Sequence, residues 1–219
     1  GRGAEDGGKA YFQDLFARCT RVMTGLQSLP QPVIAQVHGI ATAAGCQLVA
    51  TCDLAIAEEE TKFGVNGVNI GLFCSTPMVA LSRNLSRKKA FEMLTTGRFL
   101  SATEAVDHGL INRAVPADRL DDEVAELAET IVGKLGAAVR IGKRAFYDQI
   151  EMPVDQAYSY TGEVMVENML FRDTEEGIAA FVKPVATVEP RADVSARYDE
   201  IYQRYRELYP ALRPIARPR

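Results

Sequence analysis

The sequence predicts an α/β fold whose front half alternates short strands with crossing helices and whose back half is helical throughout. Three observations carry that prediction. A β-branched run, VIAQV over 33–37, feeds a small-residue stretch and then a helix. A second short apolar run, DLAIA over 53–57, follows that helix, and from Ala117 onward every periodic segment has helical spacing.

Taken in order, Phe12, Leu15, Phe16, Cys19, Val22, Met23 and Leu26 put one apolar face on a helix over 9–29, which Pro30 and Pro32 end. The 33–37 strand runs into HGIATAAGCQLVATCD, a tight turn and helix whose small residues permit close backbone packing. A short strand near 62–64 follows the one over 53–57. Ser86 and Gly97 bracket a helix as N-cap and C-cap, and Ser101 with Glu104 forms a capping box for a short helix closed by Gly109. LINRAV over 110–115 is the last expected strand, and helices are expected over 118–133, 137–150, 154–170 and 173–182. Residues 184–219 hold five of the ten prolines and four of the eight tyrosines, with Tyr198, Ile201, Tyr202, Tyr205, Leu208 and Tyr209 on one helical face.

Composition narrows the function classes. At 219 residues, 47% hydrophobic and 25% charged, the chain has the balance of a globular protein with a proper core. Its 25 basic and 29 acidic residues give a net charge of -4 with no basic stripe, so nucleic acid is not an expected partner. The longest apolar stretch, 33–49, is broken by Gln36, His38, Thr42, Gly45 and Gln47 and falls short of a membrane span; the polar opening GRGAEDGGK is unlike an export signal. Cys19, Cys46, Cys52 and Cys74 lack zinc-site spacing and predict reduced thiols, and His38 and His108 are too few for a metal site or a Ser-His-Asp triad. The two histidines are expected at packing or surface positions, and Asp53 as a cap or turn anchor.

Chemistry is expected in the stretch 39–48. Small residues between a buried strand and a helix let a ligand approach the backbone, and N–H groups at a helix start can hold developing negative charge on oxygen. Ordinary strand-to-helix packing uses the same residues, so this stretch alone leaves both readings open. Asn66, Asn69, Ser75 and Thr76 can hydrogen-bond a ligand or serve as turn and cap residues.

Three blocks together are more specific: V-x-G-x-A-x-A-A-G-C-x-L-x-x-x-C-D, then K-F-G-V-N-G-V-N-I-G, then L-T-T-G-R-F-L-S-A-T-E-A-V-D-H-G-L-I-N-R-A-V-P. In that order and spacing they resemble the crotonase superfamily, the enoyl-CoA hydratase/isomerase family, over about 9–182, and within it the enoyl-CoA hydratase domain-containing branch. The resemblance implies a crotonase-like spiral of ββα units followed by C-terminal helices. It divides the chain into a spiral core over 1–116, lacking N-terminal strands that relatives carry, a helical trimerisation region over 117–183, and an appended tail over 184–219. Part of that tail resembles the end of FGGY-type xylulose kinases, without their phosphate-binding loop.

For function, the resemblance implies an acyl-CoA thioester held through backbone N–H groups, one of them from Ala44, with coenzyme A present only as part of the substrate and no separate cofactor or metal. Ala43, Gly45, Asn66, Asn69, Phe73, Ser75, Thr76 and Phe181 are the implied substrate-binding positions. The two glutamates with which hydratases add water fall at Gln47 and Gly67, so hydratase activity is expected to be weak or absent. Glutamate at both positions is expected to raise hydration if the pocket is otherwise sound. The alternatives are a non-catalytic oligomeric scaffold and, through the tail, a sugar-kinase fusion. A homotrimer or hexamer is implied, in the cytoplasm or, in a eukaryote, the mitochondrial matrix.

Overall fold

The computed structural model describes residues 5–181, together with 200 and 203. The chain divides into two compact units, Gly1–Asp173 and Thr174–Arg219. The described part of the second is the greater part of one helix, Arg172–Phe181, with residues 200 and 203; the rest of the tail expected to resemble xylulose kinases lies outside the described residues.

The first unit begins with α1 (Lys9–Ser28), β1 (Ile34–Val37), β2 (Ile40–Thr42), α2 (Ala44–Thr51), β3 (Leu54–Glu58) and β4 (Lys62–Gly64). A 3-10 helix over Asn66–Ile70 leads to α3 (Ser75–Asn84), α4 (Arg87–Thr96), β5 (Leu100–Ser101), α5 (Ala102–Asp107) and β6 (Arg113–Val115). Then come α6 (Leu120–Val132), α7 (Gly136–Gln149) and α8 (Val154–Met169), with α9 (Arg172–Phe181) crossing into the second unit. The order of strands with helices first and helices alone last agrees with the sequence reading.

Among the described residues of this unit the strands form two three-stranded sheets. One is all parallel in the order β1-β3-β6, and the other has the order β2-β4-β5, with β2 and β4 parallel and β4 and β5 antiparallel. The expected single turn after β1 is therefore two features. Gly39 takes a left-handed conformation (φ 68) that breaks the chain direction, and Ile40–Thr42 then forms a strand of the other sheet. LINRAV contributes only its last three residues to a strand; Asn112 before it clasps Ala55 from both sides, its N–H donating to the Ala55 carbonyl and its Oδ1 accepting from the Ala55 N–H, each at 2.8 Å.

The core joins the two sheets through Ala55, Ala57, Phe63, Val65, Leu81, Met93, Leu94 and Leu100, all nearly or fully enclosed. The expected caps are present: Ser86 accepts from the Lys89 N–H, Gly97 ends α4 at φ 65, and Ser101 and Glu104 cap each other's backbone at the start of α5. By contrast, α1 buries no residue fully. Phe12, Leu15, Phe16 and Val22 are exposed, and partial cover begins only at Cys19.

A buried staple ties three crossings together. Asp53 accepts from the Val33 N–H (2.6 Å), Lys143 Nζ (2.7 Å) and the Tyr147 hydroxyl (2.7 Å). Lys143 also donates to the carbonyls of Leu26 (3.1 Å) and Gln31 (2.9 Å). One lysine from α7 thus fixes the end of α1, the loop into β1 and the loop into β3. Burial and then the Asp53 carboxylate push the Tyr147 phenol well above its ordinary pKa. Asp53 is an anchor, as its sequence position predicts. His38 and His108 are exposed, the latter at the end of α5.

Candidate functional site

The turn into α2 has an unusual backbone. Ala43 has φ 48 and ψ -115, and it is the one non-glycine residue with positive φ among the described residues. An alanine there is strained, and such strain persists only where neighbours over-determine the conformation. Here the Ala43 N–H donates to the Gly64 carbonyl (2.9 Å), its carbonyl accepts the first helical bond from the Gln47 N–H (3.0 Å), and Thr42 is in register with Gly64.

The consequence falls on the next residues. The first turn of a helix leaves its N–H groups without helical acceptors. Ala44 and Gly45 in that turn are exposed, whereas Cys46 is fully buried. Ala44 thus stands exposed in the first turn of a helix, an end whose dipole favours negative charge.

Gln47 lies one turn further along α2, with the residue 6% exposed. Its Oε1 accepts from the Cys19 thiol of α1 at 3.9 Å. Opposite, Thr42 Oγ1 donates to Asn66 Oδ1 at 2.6 Å, clipping the end of β2 to the chain just after β4. Gly67 follows directly. The Gly67 carbonyl accepts from the Leu72 N–H (2.9 Å), and a Cβ built on Gly67 would run into the Leu72 carbonyl oxygen and lie 2.9 Å from Cys74 Sγ. Glycine at 67 thus reflects an absence of room as well as of a side chain. Beneath the turn, burial pushes the Cys46 thiol up to about 12, with the Cys74 thiol acting in the same direction.

Ala43, Ala44, Gly45, Gln47, Asn66 and Gly67 gather around the paired ends of β2 and β4. The other expected positions have different surroundings. Asn69 turns away: its carboxamide occupies the space a Cβ at Gly97 would need, 2.6 Å from Oδ1, so it packs on the end of α4. Ser75 and Thr76 form the first turn of α3, a helix the sequence reading missed, and the Ser75 N–H and hydroxyl both point to the Phe73 carbonyl (2.8 and 3.4 Å). These are the turn and cap roles open to them from the start. Phe73 is 39% exposed beside Leu72 and Ile70, forming an apolar rim. Phe181 ends α9 in the second unit and is 90% exposed.

A groove of about 740 Å³ lies elsewhere, lined by Thr24, Arg140, Arg144, Tyr160, Glu163 and Phe171 among others, and it includes none of these positions. Among the described residues no cluster of three or more His, Cys, Asp or Glu could hold a metal ion, and no helix is long and apolar enough to cross a membrane.

Residues 6–186 match the family described as enoyl-CoA hydratase/isomerase. The chain belongs to that family. It is 48% identical over 183 residues to the mitochondrial enoyl-CoA hydratase domain-containing protein 3 of Xenopus laevis, covering 82% of this chain and 62% of the relative. With the Homo sapiens protein of the same name it shares 46% over 189 residues, 85% of this chain and 62% of that one. The chain thus spans about three-fifths of the length of these curated relatives. Among solved structures, an enoyl-CoA hydratase from Mycobacterium smegmatis superposes with a TM-score of 0.78 at 56% identity, covering 79% of this chain and 67% of that chain. The human enoyl-CoA hydratase domain-containing protein 3 superposes with 0.79 at 45%, covering 86% and 74%. The crotonase-like fold expected from the three sequence blocks is the fold observed.

Proposed function

We propose that this family member binds an acyl-CoA thioester with the carbonyl oxygen at the Ala44 amide, and that water addition is weak or absent. The observation that supports this reading is the strained Ala43, which opens α2 with the exposed Ala44 in its first turn, where N–H groups lack helical acceptors. A preorganised donor of this kind stabilises the charge an enolate-like oxygen acquires, and removing one typically costs ~2.7–4 kcal/mol. Beside it stand Gln47, which neither takes up nor releases a proton at ordinary pH, and Gly67, which has no side chain. General acid-base assistance is worth ~100- to 10,000-fold, and its absence is the reason for expecting little hydration. No cofactor beyond the coenzyme A of the substrate is required.

Isothermal titration with butyryl-CoA tests binding, and the loss of enoyl-thioester absorbance with crotonyl-CoA tests hydration. Saturable heat with negligible hydration supports the proposal; rapid hydration, or no heat at all, overturns it. A second reading, an oligomeric scaffold with a vestigial site, is favoured by the exposed apolar face of α8, where Tyr158, Met165 and Met169 are 77%, 61% and 51% exposed. Assembly as a homotrimer or hexamer fits both readings. A mitochondrial location follows the names of the vertebrate relatives, and a cytoplasmic one suits a bacterial source.

A further inference from the structure

We infer that the groove of about 740 Å³ between the end of α1, α7 and α8 is a second binding site, for a zwitterionic amphiphile whose carboxylate meets Arg140 and whose ammonium meets Glu163 and Glu167. It shares no residue with the turn into α2 and does not depend on the acyl-CoA reading.

The argument begins with the helix pair. Only residues 150–153 join α7 to α8, so the two helices lie antiparallel. The Tyr160 hydroxyl donates to Asp148 Oδ2 at 2.8 Å and fixes how they face each other. From that rung, each step back along α7 matches a step forward along α8. One turn away, Arg144 falls level with Glu163 and Val164; a further turn away, Arg140 falls level with Glu167. All of these residues line the groove.

Opposite charges on level rungs would close into ion pairs if the two walls met there. Instead Arg144 turns to Asp148 on its own helix (3.5 Å), and among the described residues Arg140, Glu163 and Glu167 belong to no ion pair. The groove holds the two rows apart, with Thr24, Gln27 and Leu29 of the end of α1 as its third wall. A simple anion there would meet the two glutamates, and a simple cation would meet Arg140. A molecule carrying both signs satisfies both walls at once. Leu29, Ile141 and Val164 give its chain an apolar surface, and the rings of Tyr160 and Phe171 on the glutamate side suit an ammonium. The volume lies within the range of small-molecule sites, about 300–1,000 Å³.

The test is isothermal titration of the 219-residue chain with three compounds that share one octyl chain: octyldimethylammonio-butanoate, octyltrimethylammonium and octanoate. The zwitterion is expected to bind about three- to tenfold more tightly than either singly charged compound. Arg140→Gln should bring it down to the level of octyltrimethylammonium, and Glu163→Gln/Glu167→Gln to the level of octanoate. These three side chains are exposed, so both variants should keep the parent's unfolding midpoint. No saturable heat with the zwitterion, equal affinities for the three compounds, or a preference that survives in both variants overturns the inference and leaves the acyl-CoA reading standing.

Discussion

Replacing Lys143 by methionine tests whether the staple around Asp53 holds the chain crossings together. The lysine side chain is 6% exposed and the aspartate 14%, so the variant leaves a largely buried carboxylate without its cation. It also leaves the Leu26 and Gln31 carbonyls without the ammonium that bridges them. Breaking one partner of a buried pair costs about 3–5 kcal/mol, because the remaining charge stays desolvated. With a urea m-value of about 2 kcal/mol/M, the unfolding midpoint should fall by ~1.5–2.5 M. The double variant Asp53→Asn/Lys143→Met carries no stranded charge, and its amide oxygen still accepts from Tyr147 or Val33, so it should be less destabilised than Lys143→Met alone. A midpoint shift of Lys143→Met below ~0.5 M, or a double variant no more stable than the single, would refute the reasoning.

At Gly67, alanine meets the Leu72 carbonyl and Cys74 Sγ, so Gly67→Ala should lose about 1–3 kcal/mol in the same denaturation assay. Gly142→Ala in α7 meets nothing and should gain about 0.5–1 kcal/mol. The Ser101 backbone N–H and then Arg98 hold the Glu104 carboxyl at about 2. A depressed carboxyl contributes stability above its unfolded pKa of 4.5 and loses it as pH falls toward 2, so acid titration should bring Glu104→Gln and the parent together across that window. An aromatic disulfide reagent should modify the half-buried Cys19 in the native chain ahead of Cys52, whose thiol burial and then Asp53 push up, and spare Cys46 and Cys74 until denaturant is added, since both are buried away from the reagent.

The parts of the fold governed by local chemistry were legible in the sequence. Caps at Ser86, Gly97 and Ser101 and the helical spacing after Ala117 depend on neighbours within a few residues, and the structure places helices there. Ile40–Thr42 was not legible, because a three-residue strand exists only through its pairing with Lys62–Gly64 across the chain. The helix at Ser75 was masked by S-T-P, which reads as a loop although proline suits a first helical turn. In the site, the small residues 43–45 pointed to the right turn, but nothing announces positive φ at an alanine. The apolar face of α1 was legible as a face, yet its first turns stand exposed, since periodicity shows which residues share a face and not what covers it.

The two positions without an acid differ physically, and this revises the expectation that glutamate at both would raise hydration. Glutamine to glutamate at 47 keeps the side-chain shape and changes one terminal group, so Gln47→Glu asks only that the Cys19 contact tolerate a charge. Any side chain at 67 must first displace the Leu72 carbonyl, which belongs to the turn closing the 3-10 helix and leading to Cys74 and α3. General acid-base help from a second carboxylate cannot appear if installing it moves the backbone that would aim it. Restoring the pair therefore calls for rebuilding 66–74 as a unit. Gln47→Glu alone should fold and hydrate crotonyl-CoA barely better than the parent, while Gln47→Glu/Gly67→Glu should lose stability before it gains rate. A fully stable double variant with strong hydration would show that the 3-10 turn yields readily, and that glycine at 67 is not imposed by its surroundings.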